Sequence, residues 1–207
     1  MENTIIIQDI TYNLDDILED CWHRLVKGTQ SAKHPFHCPT LGTFNSGDIE
    51  LRTVVLRKVI PSERTIIFHT DKRSPKITQL EKHNQLGWLF YDDKARIQIR
   101  IKAKAIIHYQ DDLALSRWKD SRLESRRCYL VESAPSTFID SPSDGLPENL
   151  TVKDLTEENV APGYQNFTVV KTVVNEIDWL FLNHSGHRRA RFFYEDGKEI
   201  RKEWVLP

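Results

Sequence analysis

Residues 95–109 alternate apolar and polar side chains along most of their length. In an extended chain, Ile97 and Ile101 would point to one side and Gln98 and Arg100 to the other, because successive side chains of a strand alternate. The pattern therefore predicts a β-strand with one face in a core. Its opposite, strongly polar face must lie against water or a polar ligand.

Similar patterns elsewhere predict a mainly β protein. About seven or eight strands, mostly joined by hairpins, indicate an antiparallel sheet closed into a barrel with a few peripheral α-helices. Turn-forming residues separate strands at 45–48, 184–186 and 195–197. The other strands are expected at 40–44, 49–60, 65–70, 86–91, 166–182, 187–194 and 199–206.

Three helices are predicted between and beside these strands. Asn13 is expected to cap the first helix, and Gly28 is expected to end it. Ser74 is expected to cap a short second helix that has Pro75 at its first position, where proline is well tolerated. Residues 111–130 are expected to form the third helix.

Length and composition limit the classes of protein. At 207 residues, the chain is expected to form one domain, residues 1–207, with residues 133–165 as an extended loop. A loop that long is usually a lid, an interface arm or a disordered segment. A net charge of −1 gives no global field that would draw the chain to nucleic acid or a membrane.

The cysteine count and the apolar pattern indicate a location. Three cysteines without CxxC spacing predict neither a disulfide framework nor a zinc site, and they fit a reducing compartment. No run of about 18 apolar residues could span a bilayer, and the N-terminus lacks the pattern of a signal peptide. The cytoplasm is therefore the expected location.

Two further groups of residues favour structural roles. His34, His37 and Cys38 fit no usual zinc spacing, so no metal site is expected. Four arginines of the third predicted helix either form a patch for phosphate or nucleic acid or pair with nearby acids, and pairing is favoured. These arginines are Arg117, Arg122, Arg126 and Arg127.

A phosphate monoester needs several charge-assisted donors, which arginine, lysine, hydroxyls and a helix N-terminus supply. Arg52, Thr70, Ser74 and Lys76 provide these types. If Arg52 and Thr70 lie on neighbouring strands and Ser74 caps the next helix, all four converge on one phosphate. The alternative is that Arg52 and Lys76 are ordinary surface cations and Ser74 is only a cap.

The residues next to this group could bind the ring of a flavin nucleotide, whose phosphate is such a monoester. A flavin ring needs an apolar floor, hydrogen bonds to its polar edge and a cation near that edge. The segment 54–56 offers the floor, and Arg57 and Gln98 offer the edge contacts. The alternative, a core strand over 54–56, is compatible with the first because a strand has two faces. The chain contains no GxGxxG or GxxxxGK[ST] motif, so these nucleotide-binding loops are excluded.

Near the C-terminus, His187, Arg189 and Arg191 are expected on one face of a strand. Three such side chains repel each other unless an anion lies among them, or unless a neighbouring strand supplies acids. Trp179, Phe181 and Trp204 are expected in the core or at a subunit contact, with an aromatic beside the flavin as the alternative.

These motifs together resemble the pyridoxine 5'-phosphate oxidase-like, FMN-binding split-barrel family, particularly its pyridoxamine 5'-phosphate oxidase-related subgroup. The resemblance covers roughly residues 40–119 and 179–207. Its most specific parts are Arg52–Arg57, Thr70–Lys76 and Arg96–Arg100, together with a terminal RxRF that is followed by a Trp and a closing Leu-Pro.

The resemblance implies a homodimer with two FMN molecules at the subunit interface, each contacted by both chains. The net charge of −1, rather than the resemblance, argues against nucleic acid or a membrane as partners. The residues that it assigns to FMN are Arg52, Thr53, Val54, Val55, Leu56, Arg57, His69, Thr70, Ser74, Lys76, Gln98, Phe181 and Arg191. It also implies catalytic roles for Arg57, His187 and Arg189, and substrate contacts for Arg117, Ser121 and Arg189.

Several positions depart from the true oxidases of this family. Those enzymes carry Lys in place of Arg57 and Arg in place of Pro75, and their Arg-x-His is reversed here between His187 and Arg189. The first hypothesis is an FMN-dependent oxidoreductase that acts on a small substrate, with pyridoxamine phosphate as one candidate. The second is an FMN-binding or flavin-sensing protein without that activity, and a third is a barrel that has lost FMN.

Overall fold

The computed structural model describes residues 4–7, 10–147, 150–195 and 198–207. They form the mainly antiparallel β structure that the sequence predicts. The strands are β1 (Ile5–Ile7), β2 (Ile10–Tyr12), β3 (Thr40–Asn45), β4 (Asp48–Thr53), β5 (Leu56–Ile60), β6 (Thr65–Asp71), β7 (Gln85–Asp92), β8 (Ile97–His108), β9 (Phe167–Phe181), β10 (Arg188–Glu195) and β11 (Lys198–Val205). The helices are α1 (Leu14–Gln30), α2 (Pro75–Lys82), α3 (Asp112–Lys119), α4 (Leu123–Arg127) and α5 (Glu157–Val160), with 3-10 turns at Pro61–Glu63, Val152–Asp154 and Ala161–Asn166.

One sheet joins nine of these strands, and its centre is the 15-residue strand β9. The path runs β11, β10, β9, β8, β7, β3, β4, and β6 joins β9 on the side of β10. Residues 167–173 of β9 pair with β6, and residues 176–181 pair with β10. The sheet therefore forks at β9, while β8 lines most of the other edge of that strand.

The predicted strand over 49–60 is divided between β4 and β5. At the division, Val54 N donates to Pro39 O at 3.1 Å, and Leu56 N donates to His37 O at 2.8 Å. Since β4 pairs with β3 and β5 pairs with β6, the covalent chain links the two ends of the curved sheet here. Among the described residues, no continuous ladder closes the ring, so the barrel is split rather than fully closed.

The alternation predicted in residues 95–109 is confirmed in β8. Ile97, Ile99 and Ile101 are buried, and the polar side chains between them face outward. The isoleucines join a core with Phe68 and Trp88, whose rings meet edge to face at 5.5 Å. Helix α1 covers one side of this core.

Helix α1 begins as predicted but ends later. Asn13 Oδ1 accepts from the backbone N of Asp15 and Asp16, which confirms the cap. Gly28 does not end the helix, which continues to Gln30. A Cβ at Gly28 would lie 2.9 Å from Phe36 O, so the glycine serves close packing rather than termination.

The predicted helix over 111–130 is two helices, α3 and α4. Ser121 Oγ donates to Arg117 O at 2.7 Å, which is the kind of local side-chain bond that competes with a helix. Trp118 of α3 packs against Tyr129, Tyr164 and Phe167. This second aromatic cluster lies on the outer side of β6 and β9.

The remaining differences are at the ends. Strands β1 and β2 form a small sheet that the sequence patterns did not indicate. Most of residues 133–165 lies outside regular structure, as expected, and residues 148–149 are outside the described residues. Asp196 and Gly197 of the predicted turn at 195–197 also lie outside them. In the described part of the chain, no helix is long and apolar enough to span a membrane.

Candidate functional site

Lys76 lies at the start of α2 beside the end of β6. Ser74 is the N-cap, and Pro75 occupies the first helical position, as predicted. The Ser74 hydroxyl makes no capping bond, however, because Lys76 Nζ donates to Ser74 Oγ and, at 3.1 Å, to Thr70 Oγ1. Thr70 and Ser74 are buried, so their hydroxyls hold the ammonium group inside a partly closed site.

Arg52 reaches the same region from β4. Its guanidinium donates to Thr43 Oγ1, to Glu50 Oε2 at 2.9 Å and to Gln79 Oε1 at 3.5 Å. Thr43 also donates to Gln79 Oε1 at 2.6 Å, which ties β3 to α2. Neither Thr43 nor Gln79 was predicted from the sequence. The only available signal was the hairpin register, which places Thr43 opposite Glu50.

The structure thus brings together Arg52, Thr70, Ser74 and Lys76, which we name the Lys76 cluster. Burial lowers the pKa of Lys76, and the charge of Arg52 lowers it further. Burial also lowers the pKa of Arg52, against the opposing effect of Glu50. Lys76 makes no ion pair with any described residue, so a bound anion would relieve the repulsion between the two cations.

The neighbouring segment 53–57 has mixed exposure. Leu56 is fully buried in the core, whereas Val54 and Val55 are half-buried. The core-strand interpretation therefore holds for Leu56. Thr53 and Arg57 are exposed, and Arg57 makes no hydrogen bond or ion pair with the described residues.

A second group of cations lies on the other side of β6. Burial lowers the pKa of His69 to about 3, and the charges of Arg57 and Arg117 act in the same direction. The imidazole is therefore neutral at physiological pH. His69 Nε2 and Arg117 Nε are both buried without a hydrogen-bond partner among the described residues. Tyr129 is also near, since the charge of Arg57 acts on its hydroxyl.

We name Arg57, His69, Arg117 and Tyr129 the His69 cluster. Arg117 donates to Asp120 and is therefore partly neutralised, as pairing with nearby acids predicts. Ser121 follows in the turn after α3, and its hydroxyl is used on Arg117 O. Arg126 likewise pairs with Glu157.

The C-terminal arginines lie on the outer face of the sheet. Arg189 donates to Asp178 at 2.9 and 2.7 Å, and Arg191 donates to Glu176 at 3.1 and 2.7 Å. Both acids come from β9, so the alternative in which a neighbouring strand supplies them is confirmed. His187 precedes β10 and accepts from Asn183 N at 3.1 Å, so it does not continue that strand face.

Gln98 and Phe181 lie on different faces. Gln98 is half-buried on the outer face, opposite Tyr91 and Leu180 in the pairing register. Phe181 packs on Trp179 with ring centroids 6.4 Å apart, next to the core. In one chain, Gln98, Arg189 and Arg191 therefore lie on the opposite face from Arg52, which pairs with the buried Leu41.

A groove of about 960 Å³ crosses the outer face of β4, β3, β7, β8, β9 and β10. Gly42 and Gly87 pair directly on its floor. At one end it is bordered by exposed apolar side chains, Phe44, Ile49 and Leu51. The opposite end carries the ion pairs of β8, β9 and β10. Within the described ranges, no group of His, Cys, Asp or Glu is arranged to bind a metal ion.

Comparisons with known proteins agree with this fold. Residues 19–109 match the family model described as pyridoxamine 5'-phosphate oxidase, FMN-binding domain. No curated protein matches the chain. A pyridoxamine 5'-phosphate oxidase-related, FMN-binding protein from Nostoc punctiforme PCC 73102 superposes with a TM-score of 0.71 at 18% identity, covering 91% of this chain and 96% of the other.

Two further solved structures have related folds. PhzG from Burkholderia lata 383, in complex with tetrahydrophenazine-1-carboxylic acid, has a TM-score of 0.69 at 15% identity, with 98% of each chain covered. A protein related to general stress protein 26 from Clostridium acetobutylicum has a TM-score of 0.51 at 12% identity, covering 86% of this chain and 95% of the other. At such identities, the likeness shows the fold alone.

The family match includes both strands and the helix that form the Lys76 cluster. It also includes Gln98 on the outer face. The resemblance drawn from the sequence is thereby confirmed: residues 19–109 match the model of the pyridoxamine 5'-phosphate oxidase FMN-binding domain, and the chain around them has the split-barrel fold.

Proposed function

We propose that this chain is an FMN-binding flavoprotein, and that it works as an FMN-dependent oxidoreductase of the pyridoxamine 5'-phosphate oxidase-like type on a small substrate. The observation that carries the proposal is the ammonium group of Lys76. It is half-buried at the N-terminus of α2, and among the described residues it donates only to two hydroxyls, with a second cation beside it. Such a site favours a phosphate.

The described side chains fit the phosphate of FMN. Lys76 and Arg52 supply charge, and Thr70 and Ser74 supply hydroxyls that no backbone group occupies. The first N–H groups of α2 supply a partial positive charge at the same place. Bound FMN would supply the electron-transfer chemistry that amino acid side chains lack.

The ring of FMN is proposed to lie along the segment 53–57. Arg57 is exposed there and pairs with none of the residues that the structure describes, so its charge is available to stabilise negative charge on reduced flavin. His69, being neutral, adds hydrogen-bonding capacity beside it without adding charge. These residues would orient the ring and tune its electrostatics.

The proposal includes a homodimer with FMN at its interface. Gln98 and Arg191 belong to the proposed cofactor site but face away from Arg52 in the same chain. A second copy that presents its outer sheet face would complete the site. The open apolar groove on that face supports such a contact, since exposed apolar patches often mark interfaces. Phe181, next to Trp179, would contribute from behind this face.

The His69 cluster is the proposed site for an anionic group of the substrate. Arg57 and Arg117 supply charge, and Ser121 lies in the adjoining turn. The buried, unpartnered Nε of Arg117 and Nε2 of His69 are available for a ligand atom. A small phosphorylated or carboxylated molecule would satisfy them, and pyridoxamine phosphate is one candidate.

A second candidate function is FMN binding or flavin sensing without pyridoxamine phosphate oxidase activity. The side chains expected to orient substrate already have hydrogen-bond partners within this chain. Arg189 is bound by Asp178 through two hydrogen bonds, and His187 accepts a bond within its own turn. Both candidates take residues 1–207 as one domain, and the free thiols of the three cysteines fit a cytoplasmic location.

Turnover by the FMN-loaded protein separates the two candidates. We expect pyridoxamine phosphate or another small anionic amine to reduce the bound flavin anaerobically, as seen by bleaching of its visible absorbance. Arg117→Gln should raise the substrate concentration needed, while Arg122→Gln, an exposed arginine of the same region, should not. Failure of every candidate donor to reduce the flavin would favour the sensing function.

A further inference from the structure

Residues 132–145, which we name the projecting loop, carry an exposed apolar tip. Phe138 is fully exposed, and Ile139 is 58% exposed. The base of the loop is closed by Glu132 N donating to Gly145 O at 3.4 Å. Gly145 has a φ of +67°, and a Cβ there would lie 2.8 Å from Val131 Cγ1.

The base of the projecting loop is fixed to the turn that forms the Lys76 cluster. Arg73 donates to Glu132 O and to Val131 O, each at 2.8 Å. The same guanidinium is held by Asp71 at 3.0 and 2.8 Å. Asp71 and Arg73 lie within the three residues before Ser74, so the position of the loop is coupled to that of the proposed phosphate site.

The groove on the outer sheet face complements this loop in polarity and charge. Its floor at Gly42 and Gly87 has no side chains, and a Cβ at Gly87 would meet no atom within 4 Å. Lys104 lines it without an ion pair to any described residue, and Lys102 is largely exposed. The projecting loop contains three acids and no Lys or Arg: Glu132, Asp140 and Asp144.

We propose that the projecting loop of one copy seats Phe138 in the groove of a second copy. A twofold axis would give each copy one loop and one groove in contact, so that the pair closes as a dimer. The six residues from the base to the tip span at most about 20 Å. Docking would therefore hold the Lys76 cluster of one copy near the groove of the other.

This inference rests on the proposed homodimer and adds the element that aligns it. Because the loop base is bonded to Arg73, docking would bring the Lys76 cluster of one copy towards Gln98, Arg189 and Arg191 of the partner subunit. The split cofactor site would thereby be assembled from two chains. The loop would act as an interface arm rather than as a lid over its own site.

The test compares the dimer dissociation constant of four proteins by sedimentation equilibrium. Phe138→Ser removes the tip, and Gly87→Leu fills the groove from a position where an added Cβ would meet no atom within 4 Å. Val152→Ser is the matched control, since Val152 is 57% exposed in the same segment but outside the loop. We expect at least tenfold weaker dimers for the first two variants and a change within twofold for the control.

A cross-link shows whether the loop reaches the groove. Phe138→Cys and Gly87→Cys, each with Cys38→Ser and Cys128→Ser, should form a disulfide-linked dimer when mixed and oxidised. Dimer constants within twofold for both loop and groove variants, without a mixed disulfide, would overturn the inference. If the wild type is an FMN-loaded dimer that Phe138→Ser leaves intact, only the loop assignment fails. A wild type that neither dimerises nor binds FMN refutes the proposed function as well.

Discussion

The Lys76 cluster and the outer face of β10 both concentrate cations, but their partners differ. Arg189 and Arg191 each donate two hydrogen bonds to a carboxylate of β9. Within the described ranges, Lys76 donates only to hydroxyls, and Arg52 forms an ion pair with one acid, Glu50. A cation that is matched by a carboxylate stabilises the fold, whereas one held by hydroxyls leaves charge for a ligand. Residue type alone does not distinguish the two.

The largest expected effect on stability comes from removing the carboxylate that pairs with arginines on the outer face. Asp178 is 6% exposed and accepts from Arg100 and Arg189. Asp178→Ala should lower the free energy of unfolding by about 2–3 kcal/mol, because charged hydrogen bonds are lost and two arginines are left unmatched. Urea denaturation measures it. Glu203→Ala, which removes an exposed partner of Arg201, is the control, and equal effects would contradict the comparison.

The His69 cluster predicts a pH dependence of stability. Because the folded pKa of His69 is lowered from 6.5 to about 3, the unfolded chain takes up a proton first as the pH falls below 6.5. Above pH 6.5 this proton uptake does not affect stability. As the pH falls from 7 to 5, it should lower the free energy of unfolding by about 2 kcal/mol. Urea denaturation at both pH values should show a smaller loss for His69→Gln. An equal loss in the two proteins would contradict the lowered pKa of His69 in the folded chain.

The smallest expected effect is at the rim of the outer face. Lys102 pairs with Glu176, but its side chain is 73% exposed. Solvent screens such a pair, so Lys102→Ala should change the free energy of unfolding by no more than about 0.5 kcal/mol. A loss of stability near that of Asp178→Ala would show that solvent exposure does not determine how much each ion pair contributes to the free energy of unfolding. The same urea series measures it.

Local sequence patterns predicted the elements that form the Lys76 cluster. Thr70, Ser74 and Lys76 lie within seven residues, so a strand end and a helix start are enough to bring them together. Thr43 and Gln79 were not predicted, because their contact depends on how α2 docks against β3. Contacts between residues close together in the sequence could be predicted, whereas the packing of α2 against β3 could not.

Other differences have local physical causes. The strand expected over 49–60 divides where Val54 N donates to Pro39 O. The pattern of residues along the strand does not reveal this contact. Helix 111–130 divides at Ser121, whose hydroxyl competes for a backbone carbonyl. Gly28 resembles a helix stop but serves the contact with Phe36. The acids that match Arg189 and Arg191 were expected only as an alternative, since their positions require the register of β9 and β10.

The most direct test of the central claim is the FMN affinity of Lys76→Gln against that of Lys72→Gln, by flavin titration. Lys72 is its neighbour on the same turn but pairs with Glu81. Removing Lys76 should weaken binding by about 1.5–3 kcal/mol, roughly 10- to 150-fold, whereas Lys72→Gln should stay within about threefold. Equal affinities for the two variants, or a wild type that binds no FMN, would contradict the account.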